Sequence, residues 1–466
     1  MQTQATTDTV AKRSYRNSII FVLDAIIFFI LLNVLPFDLS VNKGLALLFF
    51  VAVLWLTEAL HVTVTAILVP LLAICLGLVS TKTALAAFAD PTIFLFFGGF
   101  ALATALHHQK LDRLIANRIM ALARGNLFVA VLYLFSVTAF LSMWISNTAT
   151  AAMMLPLAMG VLSKMDVKQE HNTYVFVLLG IAYSASIGGM GTLVGSPPNA
   201  IVASQLHITF AEWLKFGLPV MVILMPIMIG MLYIIFKPHL GIHFEQDFER
   251  IEMNTERVVT LGIFVLIALC WIFSNSLNPM LSGLFGLSNK IASFDSVVAL
   301  AAAALICITK VASWRQIQDN TEWGVLMLFG GGLTLSAVLK DSGASKVMAD
   351  GIVFVIQGGH FYVIGLVVAA FIIFLTEFTS NTASAALLVP IFISIAQALG
   401  MPELGLALII GFGASCAFML PVATPPNAIV FGTGQIQQRE MIRAGIWLNI
   451  LSVVIIATIG YFFWFN

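Results

Sequence analysis

Long apolar runs separated by short polar segments dominate this chain. Runs long enough to cross a bilayer, about 20 mostly apolar residues, recur near 18–36, 43–59, 62–80, 92–107, 174–206, 211–236, 257–277, 293–309, 321–340, 404–434 and 441–465. Two further apolar stretches, 127–163 and 360–398, carry a polar knot at the middle: Ser146-Asn147-Thr148 in one, Ser380-Asn381-Thr382 in the other. Polar groups at mid-bilayer need protein or water partners. Each stretch therefore reads as two half-helices meeting at a polar tip, a re-entrant hairpin that adds no net crossing. The expected fold is an all-α polytopic membrane protein with 11 transmembrane helices plus two re-entrant hairpins.

Composition agrees with the pattern. Of 466 residues, 60% are hydrophobic and 9% charged, with a mean hydropathy of +1.02. Globular domains carry about 25% charged residues, so this chain has too few polar residues to cover a water-soluble particle. Lys+Arg and Asp+Glu balance at 22 each, and no basic excess points to nucleic acid. Cys75, Cys270, Cys307 and Cys416 lie in apolar runs without CxxC spacing, which argues against a disulfide framework or a zinc site. The first apolar run lacks a small-x-small cleavage site and reads as a retained helix.

Charge sets an orientation. With a cytoplasmic N-terminus and 11 crossings, sixteen Lys and Arg fall on inside segments and six on outside segments, as the positive-inside rule requires. Reading either hairpin as a crossing would blur that bias. The C-terminus is then expected outside. Segment 108–126 mixes Lys110, Asp112, Arg113, Arg118 and Arg124 with Leu and Ile, the mark of an interfacial amphipathic helix; its counterpart is 341–357.

The chain repeats itself. Phe96-Phe97-Gly98-Gly99-Phe100 is echoed by Phe329-Gly330-Gly331-Gly332-Leu333 at an offset of 233. The Ser-Asn-Thr-Ala knots recur at 234, and Gly195-Ser196-Pro197-Pro198-Asn199-Ala200-Ile201 recurs as Ala423-Thr424-Pro425-Pro426-Asn427-Ala428-Ile429 at 228. Three matches in one order indicate duplication. Counting spans makes the halves antiparallel in the membrane. Inverted repeats with interrupted helices are the signature of secondary transporters.

The motifs suit a particular chemistry. Pro-Pro within a span removes backbone donors, so 195–200 and 423–428 are expected to be unwound with carbonyls free. Hydroxyls, amide oxygens and free carbonyls are neutral hard ligands suited to a hard cation. An Asn can bind a cation through oxygen while its NH2 donates to an anion, and hairpin tips lie by helix N-termini that attract anions. No Lys, Arg or His occurs in 127–163, 361–398 or 404–434. For an anionic substrate the positive field must then come from bound cations and helix ends, which couples the two. Glu377 is the one carboxylate in either hairpin and reads either as an anchoring ion pair or as a cation ligand. Asp24 and Glu58 read as structural, and His107 and His108 as interfacial. Ser146 or Ser380 as a hydrolase nucleophile lacks a nearby His or Lys base, so no enzyme activity is expected.

The paired Ser-Asn-Thr hairpins and Pro-Pro-Asn breaks, with Trp55-Leu56-Thr57-Glu58-Ala59, resemble the divalent-anion:sodium symporters, the DASS family, in their bacterial INDY-type sodium/dicarboxylate branch. The resemblance covers nearly the whole chain. It implies a homodimer in the bacterial cytoplasmic membrane working as an elevator. Segments 1–126 and 257–359 would form the scaffold, and 127–256 and 360–466 the transport domain. It implies one sodium at Ser142, Ser146, Asn147 and Gly195 and a second at Thr376, Thr379, Asn381 and Ala423. A C4 dicarboxylate such as succinate, malate or fumarate would contact Ser146, Asn147, Thr148, Ser380, Asn381 and Thr382, with Ser196, Pro197, Thr424 and Pro425 beside it. Position 379 is often a small residue in the family, so Thr379 is a departure that matters only if its side chain reaches the ion. Sodium-independent exchange of dicarboxylates, and citrate or sulfate as substrate, are the alternatives within the fold.

Overall fold

The computed structural model describes residues 2–163, 165–241, 251–356 and 360–465. Lys164 and Arg250 of the charge count lie outside them. Among the described residues the regular structure is helical throughout, with no strand. In chain order the helices are α1 (Gln2–Val34), α2 (Leu39–Thr57), α3 (Val62–Cys75), α4 (Thr81–Ala86), α5 (Pro91–His108), α6 (Leu111–Ala121), α7 (Leu127–Ser142) and α8 (Asn147–Leu162). They continue as α9 (His171–Gly189), α10 (Pro197–Leu206), α11 (Phe210–Phe236), α12 (Thr255–Ile272), α13 (Ser274–Leu284), α14 (Phe294–Ile308) and α15 (Trp314–Asn320). The last are α16 (Trp323–Asp341), α17 (Ala344–Ile356), α18 (Phe361–Leu375), α19 (Asn381–Leu399), α20 (Glu403–Ala414), α21 (Pro425–Phe431) and α22 (Gln438–Ile459). Among the described residues nine helical segments are long and apolar enough to cross a membrane, and six shorter apolar helices accompany them. Large apolar side chains such as Phe29, Ile234 and Val265 are exposed, the surface that lipid requires of a multi-pass membrane protein.

Both apolar stretches with polar knots are interrupted. Helix stops at Ser142 and restarts at Asn147, and it stops at Leu375 and restarts at Asn381. The Pro-Pro segments differ from expectation. Backbone is irregular over 190–196 and 415–424, and helix resumes at Pro197 and Pro425 themselves. The physical reason is that proline suits the first helical position, where its missing N–H is not needed and its φ is already helical. The prolines therefore end each break rather than form it. The expected amphipathic segments are present as α6 and α17.

The chain divides into two compact units. One comprises Met1–Asp90, Trp323–Ala414 and Ala457–Asn466. In it α1 packs on α2, α3 on α16, α17 on α19, and α18 and α19 on α20. Phe28, Ala46, Phe50 and Leu54 close its first helix pair. The other comprises Pro91–Glu322 and Ser415–Ile456. There α5 packs on α14, α7 and α8 on α9, and α21 against both α8 and α9. Each unit contains one copy of the Gly-Gly span, and the glycines serve equivalent contacts. A Cβ on Gly98 would strike the backbone of Ala299 in α14, and one on Gly331 the backbone of Ala66 in α3. Small residues that admit close backbone approach drive helix pairing where no water is present to do so.

Candidate functional site

The first Ser-Asn-Thr motif lies where α7 ends and α8 begins. Ser146 is the N-cap of α8, its Oγ accepting from the Ala149 N–H at 3.3 Å. Capping fixes the serine and leaves its hydroxyl proton for another acceptor. Asn147 and Thr148 follow at the first helical positions, whose N–H groups the helix itself does not use. Ser142, wholly buried, lies five residues before Asn147. Its Oγ is 2.6 Å from Asn147 Oδ1 and 2.7 Å from the Ala185 carbonyl oxygen of α9. A hydroxyl carries one proton and cannot satisfy both acceptors at once. The one Ser142 proton thus faces two acceptor oxygens, which leaves lone pairs that a hard cation would use.

Gly195 is tied to the same place through Gly189. A Cβ on Gly189 would strike Asn147 Oδ1 and also meet the Gly195 carbonyl oxygen, so only glycine lets these oxygens share one corner. Thr192 Oγ1 donates to the Met143 carbonyl, fastening the irregular segment to the hairpin break. The structure therefore brings Ser142, Asn147 and Gly195 together, with the Ala185 carbonyl as a ligand candidate that spacing did not reveal.

The second motif repeats these contacts in the other unit. Ser380 caps α19, its Oγ accepting from the Ala383 N–H at 3.4 Å. Thr376 Oγ1 is 2.6 Å from Asn381 Oδ1 and 3.0 Å from the Ala414 carbonyl oxygen of α20. A hydroxyl, an amide oxygen and a backbone carbonyl meet here as residues 142, 147 and 185 do, again with one hydroxyl proton facing two acceptors. Thr379 is turned elsewhere: its Oγ1 bonds the Leu375 carbonyl at 3.0 Å and the Ser384 hydroxyl at 2.7 Å. Its side chain is not part of the oxygen cluster. Glu377 is wholly buried.

Ala423 and Thr424 belong to the unit that holds the first motif. Thr424 is buried and caps α21, accepting from the Asn427 N–H at 3.2 Å. Pro425 begins that helix with an exposed ring, Ser196 is buried, and Pro197 is half-buried. Thr148 is exposed and Thr382 half-buried. Helix α21 packs on α8 and α9, so the second Pro-Pro element lies against the helix that restarts at Asn147, within a single unit.

Beside the first motif is a crevice of about 30 Å³ lined by Phe96, Phe100, Trp144, Ser146, Gly195, Pro197 and Glu322. A water needs about 10–15 Å³ on this measure, so the space suits an ion or two waters and not a dicarboxylate. Glu322 had no role in the sequence reading; the available signal was a carboxylate directly before an apolar helix. Asn199 and Asn427 were quoted only as part of the repeat, and their contacts depend on chain folding that spacing does not disclose. Among the described residues no three His, Cys, Asp or Glu converge as a metal group.

Residues 12–466 match the family model described as the sodium:sulfate symporter transmembrane region. A Haemophilus influenzae protein described as an uncharacterized transporter is 76% identical over 97% of this chain and 98% of its own. The sodium-dependent dicarboxylate transporter SdcS of Staphylococcus saprophyticus is 34% identical over 92% of this chain and 87% of its own. The crystal structure of the Alcanivorax borkumensis YdaH transporter, 13% identical, aligns with a TM-score of 0.57 over 82% of this chain and 88% of that one, a likeness of fold. Nearly full-length matches to the family model and to transporters lead to one assignment: the chain belongs to the sodium:sulfate symporter family, the divalent-anion:sodium symporters, and is a membrane transporter rather than an enzyme.

Proposed function

We propose that this protein is a sodium-coupled symporter that imports C4 dicarboxylates such as succinate, malate and fumarate across the bacterial cytoplasmic membrane. The observation that carries the reading is the pair of matching oxygen clusters, Ser142–Asn147–Ala185 and Thr376–Asn381–Ala414. Each would take one sodium, with the Gly195 carbonyl added to the first and the Thr379 carbonyl to the second; the Ala423 carbonyl, in the unit of the first cluster, is a further candidate ligand. Residues 127–163 and 361–398 contain no Lys, Arg or His, so bound sodium supplies the positive field for the dianion. Within each unit a helix restart offers donors to a carboxylate, α8 with the Ser146 and Thr148 hydroxyls and α19 with those of Ser380 and Thr382. The names of relatives support the choice of dicarboxylate.

Movement is part of the proposal. Segments 127–256 and 360–466 form a transport domain that shifts against a scaffold of 1–126 and 257–359 in a homodimer, with the N-terminus cytoplasmic and the C-terminus outside. Rigid-body movement of this kind is the general route to alternating access in inverted-repeat carriers. The test is uptake of labelled succinate into proteoliposomes with and without an inward sodium gradient. Uptake driven by the gradient is expected; equal uptake without sodium, stimulated by internal dicarboxylate, would identify an exchanger instead. Sulfate is the second reading, favoured by the description of the matching family model. Competition by sulfate stronger than by malate would select it.

A further inference from the structure

Each Pro-Pro-Asn motif ends in an asparagine that is wholly buried, Asn199 and Asn427. The Asn199 NH2 donates to the Gly189 carbonyl at 2.8 Å and to the Thr192 carbonyl at 2.7 Å. The Asn427 NH2 donates to the Ala417 carbonyl at 3.2 Å and to the Leu420 carbonyl at 3.0 Å. Acceptors lie ten and seven residues before the asparagine in both cases. Among the described residues the amide oxygens of both have no partner, so their side-chain hydrogen bonds pass through NH2. Flipping either amide would set oxygen against carbonyl oxygen, which fixes the assignment.

The two loops closed this way are the irregular segments 190–196 and 415–424. Irregular backbone in a membrane segment has no ladder of its own to hold it. An amide with two donors is the shortest side chain that can grip two carbonyls from the restarting helix. Acceptor residues differ between the repeats, Gly and Thr against Ala and Leu, because only their backbone is used. Gly195 and Ala423 sit inside the closed loops, four residues before each asparagine. In the first loop Gly189, gripped at its carbonyl, is also the residue whose added Cβ would strike Asn147 Oδ1 and meet the Gly195 carbonyl.

We propose that Asn199 and Asn427 are positioning residues that hold the Gly195 and Ala423 carbonyls in place for sodium, and so set sodium affinity without touching the ion. The inference rests on the sodium-symport reading above. Once the loops are held, no conformational search remains to be made when the ion arrives, and that is what preorganised ligands contribute to affinity. Losing the grip leaves the ligands present but mobile.

The test uses full-length protein, purified and reconstituted, with Asn199→Leu, which keeps the shape and loses both donors, and Asn199→Ser, which stays polar but cannot reach both carbonyls. The same pair is made at Asn427. Two quantities are read: the sodium concentration for half-maximal uptake, and KM for succinate at saturating sodium. A second readout without transport is the sodium dependence of the melting temperature. The expected result is half-saturation by sodium raised about tenfold, the scale of one or two lost hydrogen bonds, with KM at saturating sodium changed less than about twofold. Lithium relative to sodium should also change, because a loosened cage discriminates size poorly. Reduced Vmax with sodium half-saturation unmoved would overturn the proposal, as would failure of both variants at a position to fold. Wild-type protein indifferent to sodium would instead sink the functional reading on which it rests.

Discussion

Ser142 Oγ lies 2.6 Å from Oδ1 of Asn147, five residues further on, and the pair recurs as Thr376 Oγ1 and Asn381 Oδ1 at 2.6 Å. In each pair the hydroxyl also reaches a carbonyl of the following long helix. A serine in one repeat and a threonine in the other give the same geometry. The hydroxyl is therefore the part that matters.

Removing that hydroxyl is the first test. Contacts to a charged group are worth roughly 1.5–3 kcal/mol each, so Ser142→Ala and Thr376→Ala should each raise the sodium needed for half-maximal uptake about ten- to a hundredfold. Ser142→Thr and Thr376→Ser keep the oxygen and should stay close to wild type. Sodium titrations of succinate uptake at matched expression measure this.

Gly189→Ala should damage the first site directly. The added Cβ meets Asn147 Oδ1 and the Gly195 carbonyl, and overpacking of this kind costs roughly 1–3 kcal/mol. A lower melting temperature and loss of sodium-dependent uptake are expected together. Gly230→Ala, where a Cβ meets nothing, is the control and should change neither.

Thr379→Ala is expected to leave sodium half-saturation within about twofold, since the hydroxyl is spent on Leu375 and Ser384. Its cost should appear as a modest stability loss of roughly 1 kcal/mol for the missing hydrogen bond. A large change in sodium affinity would place the side chain at the ion after all.

Glu322 lines the crevice beside Ser146 and Gly195, where a negative charge raises the local cation concentration. Glu322→Gln should weaken apparent sodium affinity a few-fold at low ionic strength. The difference should shrink when choline chloride is added, because screening shortens the Debye length to about 10 Å at 0.1 M. Uptake titrations at two ionic strengths provide the check.

Sequence disclosed the helices and their interruptions because apolar run length and polar knots are local properties. Ser-Asn-Thr at 146–148 and 380–382 falls at helix restarts because a capping serine followed by small residues begins a helix whatever surrounds it. The Pro-Pro segments were misplaced by several residues, since proline reads equally as a break or as a first helical position. The Ala185 and Ala414 carbonyls were invisible, because a backbone ligand needs no particular side chain. The grip of Asn199 on Gly189 and Thr192 was equally hidden: it forms only when a chain that has left one helix turns back to start another. Glu322 is far in sequence from Ser146 and reaches the same crevice only through the fold.

Under the proposed symport, dicarboxylate binds only where sodium has bound first. Calorimetric titration of succinate into the purified protein tests it most directly, once in sodium chloride and once in choline chloride at equal ionic strength. Measurable heat in sodium, an affinity that rises steeply with sodium concentration, and no binding in choline are the expected results. Equal affinity in the two salts would contradict the account.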